Sequence, residues 1–169
     1  MHSQLWSRRP IIGLVIATLC GLSALGCSRG RMPPASFDVI FKDMNGQNVR
    51  LSDFKGRPIV LNFWAIYCGP CKVEIPDLIA LQEKYKEDGL VVLGISTDDT
   101  AEDLRAYAAE HKMTYPVLVG SGHEDFLRRY EVGMGIPTSW FIHKDGTVSE
   151  KRLGIGTREA LERQIRRLL

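Results

Sequence analysis

The most informative stretch of this 169-residue sequence is Ile59-Val-Leu-Asn-Phe-Trp-Ala-Ile-Tyr-Cys-Gly-Pro-Cys71. Residues 59–65 are almost all apolar, and their length and their β-branched and aromatic content predict a strand buried on both faces. A helical pattern begins directly after the second cysteine and continues to about Asp88, with an apolar stripe along one side. Cys68 and Cys71 are therefore predicted where a buried strand passes into a helix, at the sheet edge where open α/β folds place their sites.

The elements around this stretch follow from turn signals and from the hydrophobic period. Further strands are predicted at residues 37–43, 49–51, 90–95, 116–119, 138–142 and 147–153, and further helices at residues 100–112, 124–130 and 157–169. An Asn-Gly turn at residues 45 and 46 joins the first two strands in a hairpin. The remaining order, β-α-β-α-β-α-β-β-α, predicts an α/β fold with a central mixed β-sheet, helices on both faces and an N-terminal β-hairpin extension. The length fits one such domain, over residues 37–169.

Residues 1–27 have the pattern of a secretory signal. Arg8 and Arg9 form a positive patch, residues 11–25 are a mainly apolar run, and a glycine precedes Cys27. The run is short for a membrane-spanning helix, which needs about 20 apolar residues. An uncleaved N-terminal anchor is the alternative, and in either case the body of the protein is expected outside the cytoplasm.

The end of this segment, Leu22-Ser-Ala-Leu-Gly-Cys27, resembles a bacterial lipoprotein signal. In such signals a small residue precedes a cysteine that is lipidated and becomes the new N-terminus. Cys27 is therefore the candidate lipidation site, and the alternative is a bystander thiol inside a signal that is cut elsewhere. Residues 28–36 are rich in small, charged and proline residues, which is typical of a flexible tether.

Charge and composition exclude several classes of protein. Apolar residues make up 44% of the chain and charged residues 25%, so disorder, a collagen-like repeat and a multi-span membrane protein are excluded. Four basic residues precede the first acid, which leaves 18 basic against 20 acidic residues beyond position 31. A body so close to neutral lacks the excess positive charge that is typical of proteins that bind nucleic acid.

The number and spacing of the cysteines favour redox chemistry. Two of the four cysteines lie in the predicted signal, and the body keeps only Cys68 and Cys71. A disulfide that closes so small a loop adds little stability. Structural zinc usually takes four ligands, and His111, His123 and His143 do not have finger-like spacing. No metal is therefore expected, although a Cu(I) site at the two sulfurs remains an alternative.

The predicted position of the pair explains how it would react. At the helix N-terminus, unpaired N–H groups and the helix dipole lower the pKa of Cys68 and favour the thiolate. Cys71, one turn further and more buried, would resolve the mixed disulfide. Gly69 leaves room for the backbone of a substrate, and Pro70 fits the first helical turn. The residues before the pair, Trp64 and Tyr67, are expected to form a flat apolar rim that holds a substrate protein.

The segment 62–71 resembles the active-site segment of thioredoxin, and the following Lys72-Val-Glu-Ile-Pro76 narrows the resemblance. It is similar to the extracytoplasmic, membrane-tethered TlpA and ResA type of the AhpC/TSA–redoxin superfamily, near the cytochrome c maturation thioredoxins. The resemblance covers residues 37–169. It implies a thioredoxin-like fold and a monomeric thiol–disulfide oxidoreductase that needs no cofactor beyond the Cys68–Cys71 disulfide. It also implies exported protein thiols as partners and a membrane electron donor.

Further positions carry over from the resemblance. Residues 132–138 resemble the family's cis-proline segment, so the Ile136–Pro137 bond is expected to be cis and to lie opposite the cysteines. Pro137 would then belong to the catalytic site, and Ile136 and Thr138 would border an extended substrate, with the main chain before the proline available for pairing.

Glu74 is the candidate acid–base group. It matches an acidic residue near the active site of ResA-like proteins, where a partly buried carboxylate would raise the cysteine pKa values and move protons. The alternative is a solvated glutamate near the start of a helix. Asn62 stands where thioredoxin has a buried aspartate, which leaves Glu74 as the substitute for that proton acceptor.

Two other functions compete with thiol–disulfide exchange. A peroxiredoxin would carry Thr or Ser three residues before its reactive cysteine, whereas this chain has Ala65. A Cu(I) chaperone would be expected to have Met or His residues near the pair. Between the two directions of exchange, the Gly-Pro dipeptide is that of thioredoxin, whose potential lies at the reducing end, near −270 mV. A reductase is therefore expected.

Overall fold

The computed structural model describes residue 32 and residues 34–169. The predicted signal segment, the candidate lipidation site Cys27 and the first part of the tether lie outside the described residues. In the part that is described, no helix is long and apolar enough to cross a membrane.

A seven-stranded mixed sheet organises residues 34–169, with the strand order β2-β1-β5-β4-β3-β6-β7. The strands are β1 (Ile40–Asp43), β2 (Asn48–Arg50), β3 (Ile59–Trp64), β4 (Val91–Ser96), β5 (Val117–Val119), β6 (Thr138–Ile142) and β7 (Val148–Leu153). Strands β3, β4 and β5 are parallel to one another, and the other pairs are antiparallel. Every residue of β3 and of β4 is buried, which confirms the prediction of central strands covered on both faces.

Four helices cover the two faces of this part of the sheet. They are α1 (Gly69–Tyr85), α2 (Ala101–Glu110), α3 (Glu124–Arg129) and α4 (Arg158–Leu168). Apolar side chains of α1, α2 and α4 share one buried cluster, and those of α3 join the cluster on the other face. The thioredoxin-like order of elements and the N-terminal hairpin of β1 and β2 are as predicted.

The helix boundaries follow from their caps. The hydroxyls of Thr100 and Thr157 accept hydrogen bonds from the N–H groups three residues later and begin α2 and α4. Helix α1 begins at Gly69, three residues before the predicted start, because Cys68 serves as its N-cap and Pro70 is tolerated in the first turn. It continues through Pro76 and ends at Tyr85, and Gly89 then adopts a positive φ of 92°.

A close backbone approach joins the ends of β4 and β5. The N–H of Gly120 donates to the carbonyl of Ser96 over 2.7 Å. A Cβ atom at Gly120 would lie 2.3 Å from that same carbonyl oxygen, so no side chain fits without a backbone shift. This contact fixes the end of β4 to the end of β5, directly before the loop that borders the cysteine pair.

We expect Gly120→Ala to lower the free energy of unfolding by about 1–3 kcal/mol, because the added methyl group meets backbone that cannot rotate away. Gly133→Ala is the matched control, since nothing lies within 4 Å of a Cβ at that position. It should change stability by no more than about 0.5 kcal/mol. Denaturant unfolding of both variants measures the difference, and equal losses would contradict the steric argument.

Candidate active site

The two cysteines lie at the start of α1, directly beyond the end of β3. Cys68 is the N-cap residue, and its Sγ accepts a hydrogen bond from the N–H of Cys71 over 3.2 Å. The two sulfurs form a disulfide, with the Cα atoms 5.2 Å apart. The Cys68 sulfur thus takes the place of the side-chain oxygen that usually caps a helix, at its positive end. The same position favours a thiolate when the disulfide is reduced.

The two cysteines differ in their access to solvent. The exposed fraction is 6% for Cys68 and 1% for Cys71. Both side chains are largely buried, and Cys68 is the more accessible of the two. This agrees with the predicted roles, in which Cys68 attacks and Cys71 resolves.

The predicted apolar rim is only half correct. Tyr67 is 70% exposed, and its hydroxyl donates to the carboxylate of Asp98 over 3.0 Å. Trp64 is fully buried, so the prediction that its side chain lies on the rim is wrong. As the last residue of β3 it points into the core, where its ring lies 5.3 Å from the ring of Tyr107 on α2.

Asp99, which the sequence analysis did not select, ties the active-site loop to the end of β4. Its Oδ2 accepts hydrogen bonds from the N–H of Ile66 at 2.9 Å and from the hydroxyl of Ser96 at 2.7 Å. Nearby, the N–H of Thr97 donates to the carbonyl of Trp64 over 2.9 Å. The sequence signal for this role is a polar run that directly follows a buried strand at the same sheet edge as the cysteines.

The cis-proline segment is confirmed at the predicted bond, since the Ile136–Pro137 peptide is cis. The carbonyl of Pro137 accepts from the N–H of Gly154 over 2.8 Å. Thr138 is fully buried, and its hydroxyl donates to the carbonyl of Gly135, so its side chain is held within the protein. In the described part of the chain, the N–H and C=O of Ile136 form no backbone hydrogen bond. These two main-chain groups next to the cis-proline are therefore without a backbone partner.

A groove of about 710 Å³ runs beside the cis-proline segment. Its walls are formed by Tyr67, by residues 97–98 and 131–136 and by side chains of α3. Most of the lining surface is apolar, but four charged side chains also contribute to it: Asp98, Glu124, Arg128 and Glu131. Met134 is 66% exposed at its edge. Together with Tyr67 it gives the surface next to Cys68 an apolar contact area of the kind that holds a protein substrate.

Glu74 is buried beneath the active-site helix, with an exposed fraction of 1%. Its Oε2 accepts from the N–H of Gly156 over 3.1 Å, and its Oε1 lies 3.4 Å from the hydroxyl of Ser139 and 3.5 Å from Nδ2 of Asn62. Burial raises the pKa of Glu74, and the Gly156, Ser139 and Arg152 groups only partly oppose this shift. The structure therefore favours the buried carboxyl over the alternative of a solvated glutamate.

The remaining predicted positions complete the site. Gly69 and Pro70 form the first two residues of α1, and a Cβ at Gly69 would meet nothing within 4 Å. Asn62 is buried and donates to the hydroxyl of Ser139 over 3.0 Å. Across the part of the chain that the structure describes, no group of three or more His, Cys, Asp or Glu residues is arranged to hold a metal ion.

The raised pKa of Glu74 predicts a specific pH dependence of stability. Because the folded protein binds this proton more tightly than the unfolded chain, stability falls as the pH rises from 4.5, the ordinary value, through the raised folded pKa. Stability falls by at most about 1.4 kcal/mol for each pH step of one across this range. Glu74→Gln should remove this loss.

The measurement is denaturant unfolding of the oxidised protein from about pH 4 to about pH 8. The matched control is Glu83→Gln, which changes an exposed residue of the same helix. The control should keep the wild-type pH dependence, and a Glu74→Gln curve parallel to the wild type would contradict the buried-carboxyl argument.

Comparison with known proteins places this site in a family. The model of the AhpC/TSA family matches residues 33–151. The thiol-disulfide oxidoreductase ResA of Bacillus cereus is 34% identical over 131 residues, which cover 78% of this chain and 75% of that protein.

Two solved structures have the same fold. A thiol:disulfide interchange protein of the thioredoxin family from Chlorobium tepidum aligns with a TM-score of 0.72 at 26% identity, over 82% of this chain and 97% of that one. The exposed lipoprotein thioredoxin Etrx1 of Streptococcus pneumoniae aligns with a TM-score of 0.66 at 29% identity, over 78% and 99%. With its helix-capping disulfide and its cis-proline, the chain belongs to the AhpC/TSA family and is a thiol–disulfide oxidoreductase of the ResA type.

Proposed function

We propose that the protein reduces disulfides in exported proteins, outside the cytoplasm of a bacterial cell. The observation that carries the proposal is a Cys-Gly-Pro-Cys pair at a helix N-terminus in a chain that begins with the pattern of a secretory signal. Its similarity to an exposed lipoprotein thioredoxin supports the same location. In this proposal Cys27 is lipidated and residues 28–36 tether a monomeric domain to the membrane.

The reaction proceeds in two exchange steps. The Cys68 thiolate attacks one sulfur of the client disulfide, forms a mixed disulfide and releases the other client sulfur as a thiolate. The Cys71 thiol then gives its proton to the Glu74 carboxylate and attacks the Cys68 sulfur. This forms the Cys68–Cys71 disulfide and releases the second client thiolate. Two electrons pass to the client, and a membrane donor must supply two electrons to restore the dithiol.

Glu74 suits the second step because of where it lies. It follows Cys71 by one helical turn, on the same side of α1. Its raised pKa brings its proton affinity closer to that of a thiol, which improves proton transfer between the two groups. In the ionised state its buried charge also opposes a thiolate nearby, which offsets the thiolate-stabilising effect of the helix N-terminus and favours a low reduction potential.

The client would bind as an extended segment beside Pro137. The free N–H and C=O of Ile136 pair with its main chain, in the manner of an added strand. The apolar groove next to Tyr67 and Met134 receives a side chain that flanks the reacting cysteine. Recognition through main-chain bonds and one apolar contact would suit several unfolded or partly folded clients.

The reduction potential of the Cys68–Cys71 pair tests the direction of exchange. We expect a value between about −300 and −230 mV, in the range of thioredoxin. Equilibration of the oxidised protein with glutathione or dithiothreitol buffers, followed by thiol labelling, measures it. A value near −120 mV, that of a strong oxidant, would contradict the reductase role and leave thiol–disulfide exchange intact.

Trapping in cells tests the class of client. Cys71→Ser cannot resolve the mixed disulfide, so it should accumulate covalent complexes with exported proteins that non-reducing electrophoresis separates. Cys68→Ser is the matched control and should trap none, since the remaining thiol is 1% exposed. Complexes with cytoplasmic proteins only, or equal yields from the two variants, would contradict the proposal.

A further inference from the structure

Four buried side-chain polar atoms have no hydrogen-bond partner within the described residues. One is Nε of Arg152, and the other three are Oδ1 of Asn62, Nε1 of Trp64 and the hydroxyl of Tyr115. The side chains of these last three are 1%, 0% and 3% exposed. Protein interiors leave few polar atoms unpaired, because each such atom destabilises the fold unless a water molecule or another group satisfies it.

All three side chains surround the same point on the sheet, the missing side chain of Gly94. Gly94 on β4 is paired in register with Asn62 on β3. A Cβ at Gly94 would lie 3.0 Å from Cε2 of Tyr115 and 3.1 Å from Nε1 of Trp64. Asn62 and Trp64 are two residues apart on one strand and therefore share a face. Because Gly94 has no side chain, the ring of Tyr115 and the indole of Trp64 can approach the strand closely. Unpaired polar groups from β3 and from the segment before β5 therefore come together on this face.

The chemistry of these atoms is complementary to water. The indole of Trp64 only donates, the Oδ1 of Asn62 only accepts, and the hydroxyl of Tyr115 can do both. A buried water molecule typically makes about three hydrogen bonds, which matches this set. The amide of Asn62 reaches Oε1 of Glu74 through its other end, at 3.5 Å, so the cluster connects to the buried carboxyl.

We propose that a buried water molecule binds between Asn62, Trp64 and Tyr115, and that Tyr115 acts through it as a positioning residue for the Glu74 carboxylate. The inference rests on the proposed function, in which Glu74 accepts the proton of Cys71. The water donates to the carboxylate and stabilises its ionised form, and Tyr115 fixes the orientation of the water.

The environment keeps the Tyr115 hydroxyl protonated, as the proposal requires. Burial raises the pKa of the Tyr115 hydroxyl, and the negative charge of Glu74 raises it further, so the phenol stays protonated throughout the physiological range. Within the described residues, the other charged or titratable groups around Glu74 are Arg152 on β7, Asp77 on α1 and the cysteine pair. Tyr115 is therefore a neutral donor in a region where the proton of Glu74 is exchanged.

The test compares Tyr115→Phe with Tyr107→Phe in the full chain. Both changes remove one phenol hydroxyl beside Trp64, but Tyr107 lines surface grooves and its hydroxyl is not among the buried unpaired atoms. We expect Tyr115→Phe to raise the pKa of Glu74, followed by carbon-13 NMR of labelled glutamate. It should also slow release of client from the mixed disulfide by up to about tenfold, less than the 10²–10⁴ expected of a direct acid–base group. Tyr107→Phe should change neither quantity.

The direction of the Tm change gives an independent test of whether the site holds water. If the site holds water, Tyr115→Phe removes a satisfied hydrogen bond and lowers the Tm by about 2–4 °C. If the site is dry, the same change removes an unsatisfied hydroxyl and leaves the Tm equal or higher. Magnetic relaxation dispersion of the wild-type protein counts long-lived buried waters and does not depend on the folding of any variant.

The outcomes separate the two proposals. In one outcome, Glu74→Gln slows client release while Tyr115→Phe leaves the release rate, the Glu74 titration and the Tm unchanged. That result would overturn the water site and keep Glu74 as the proton acceptor. An unchanged rate in Glu74→Gln would overturn both proposals. The absence of a long-lived water in the wild-type protein would overturn the site directly.

Discussion

The first turn of an α-helix must satisfy N–H groups that have no partner in the helix, and in this protein a sulfur meets that requirement. Because β3 ends at Trp64 and α1 begins at Gly69, Cys68 becomes the N-cap and its Sγ faces the N–H of Cys71. The capping geometry and the redox chemistry are therefore the same interaction. Moving the helix start by one residue would remove the cap and the stabilisation of the thiolate together.

Glu74 introduces an opposing constraint into the same helix. A carboxyl that is 1% exposed is unfavourable in its charged form, and its three hydrogen-bonding neighbours come from β3, from β6 and from the loop after β7. Its protonation is thus coupled to the packing of α1 against the sheet. An apolar residue would pack there without this cost. A buried carboxyl with a raised pKa, one helical turn after Cys71, fits the proton exchange that we propose.

Local patterns predicted most of the framework. The apolar run of β3 and the threonine caps of α2 and α4 depend on residues close together in the sequence. The cis bond before Pro137 is instead implied by the family resemblance. The wrong and the missed predictions concern contacts between residues that are far apart in the sequence. A run buried on both faces does not show which of its residues reaches the surface, so Trp64 was expected on the rim, although α2 covers it. The roles of Asp99 and Gly156 likewise arise only when separate loops meet. The polar run after β4 indicates that Asp99 lies at this sheet edge but does not show what it binds.

Cys68 and Cys71 have the same side chain and lie three positions apart, but the fold gives them different surroundings. Cys68 lies outside the first turn, next to the exposed Tyr67, which also lines the groove. Cys71 lies inside the helix and is 1% exposed, one turn before Glu74, where we propose that its proton is exchanged. Helix direction therefore separates the two halves of the reaction. In the proposed reaction, the outward sulfur holds the client and the inward sulfur depends on the buried polar groups beneath it.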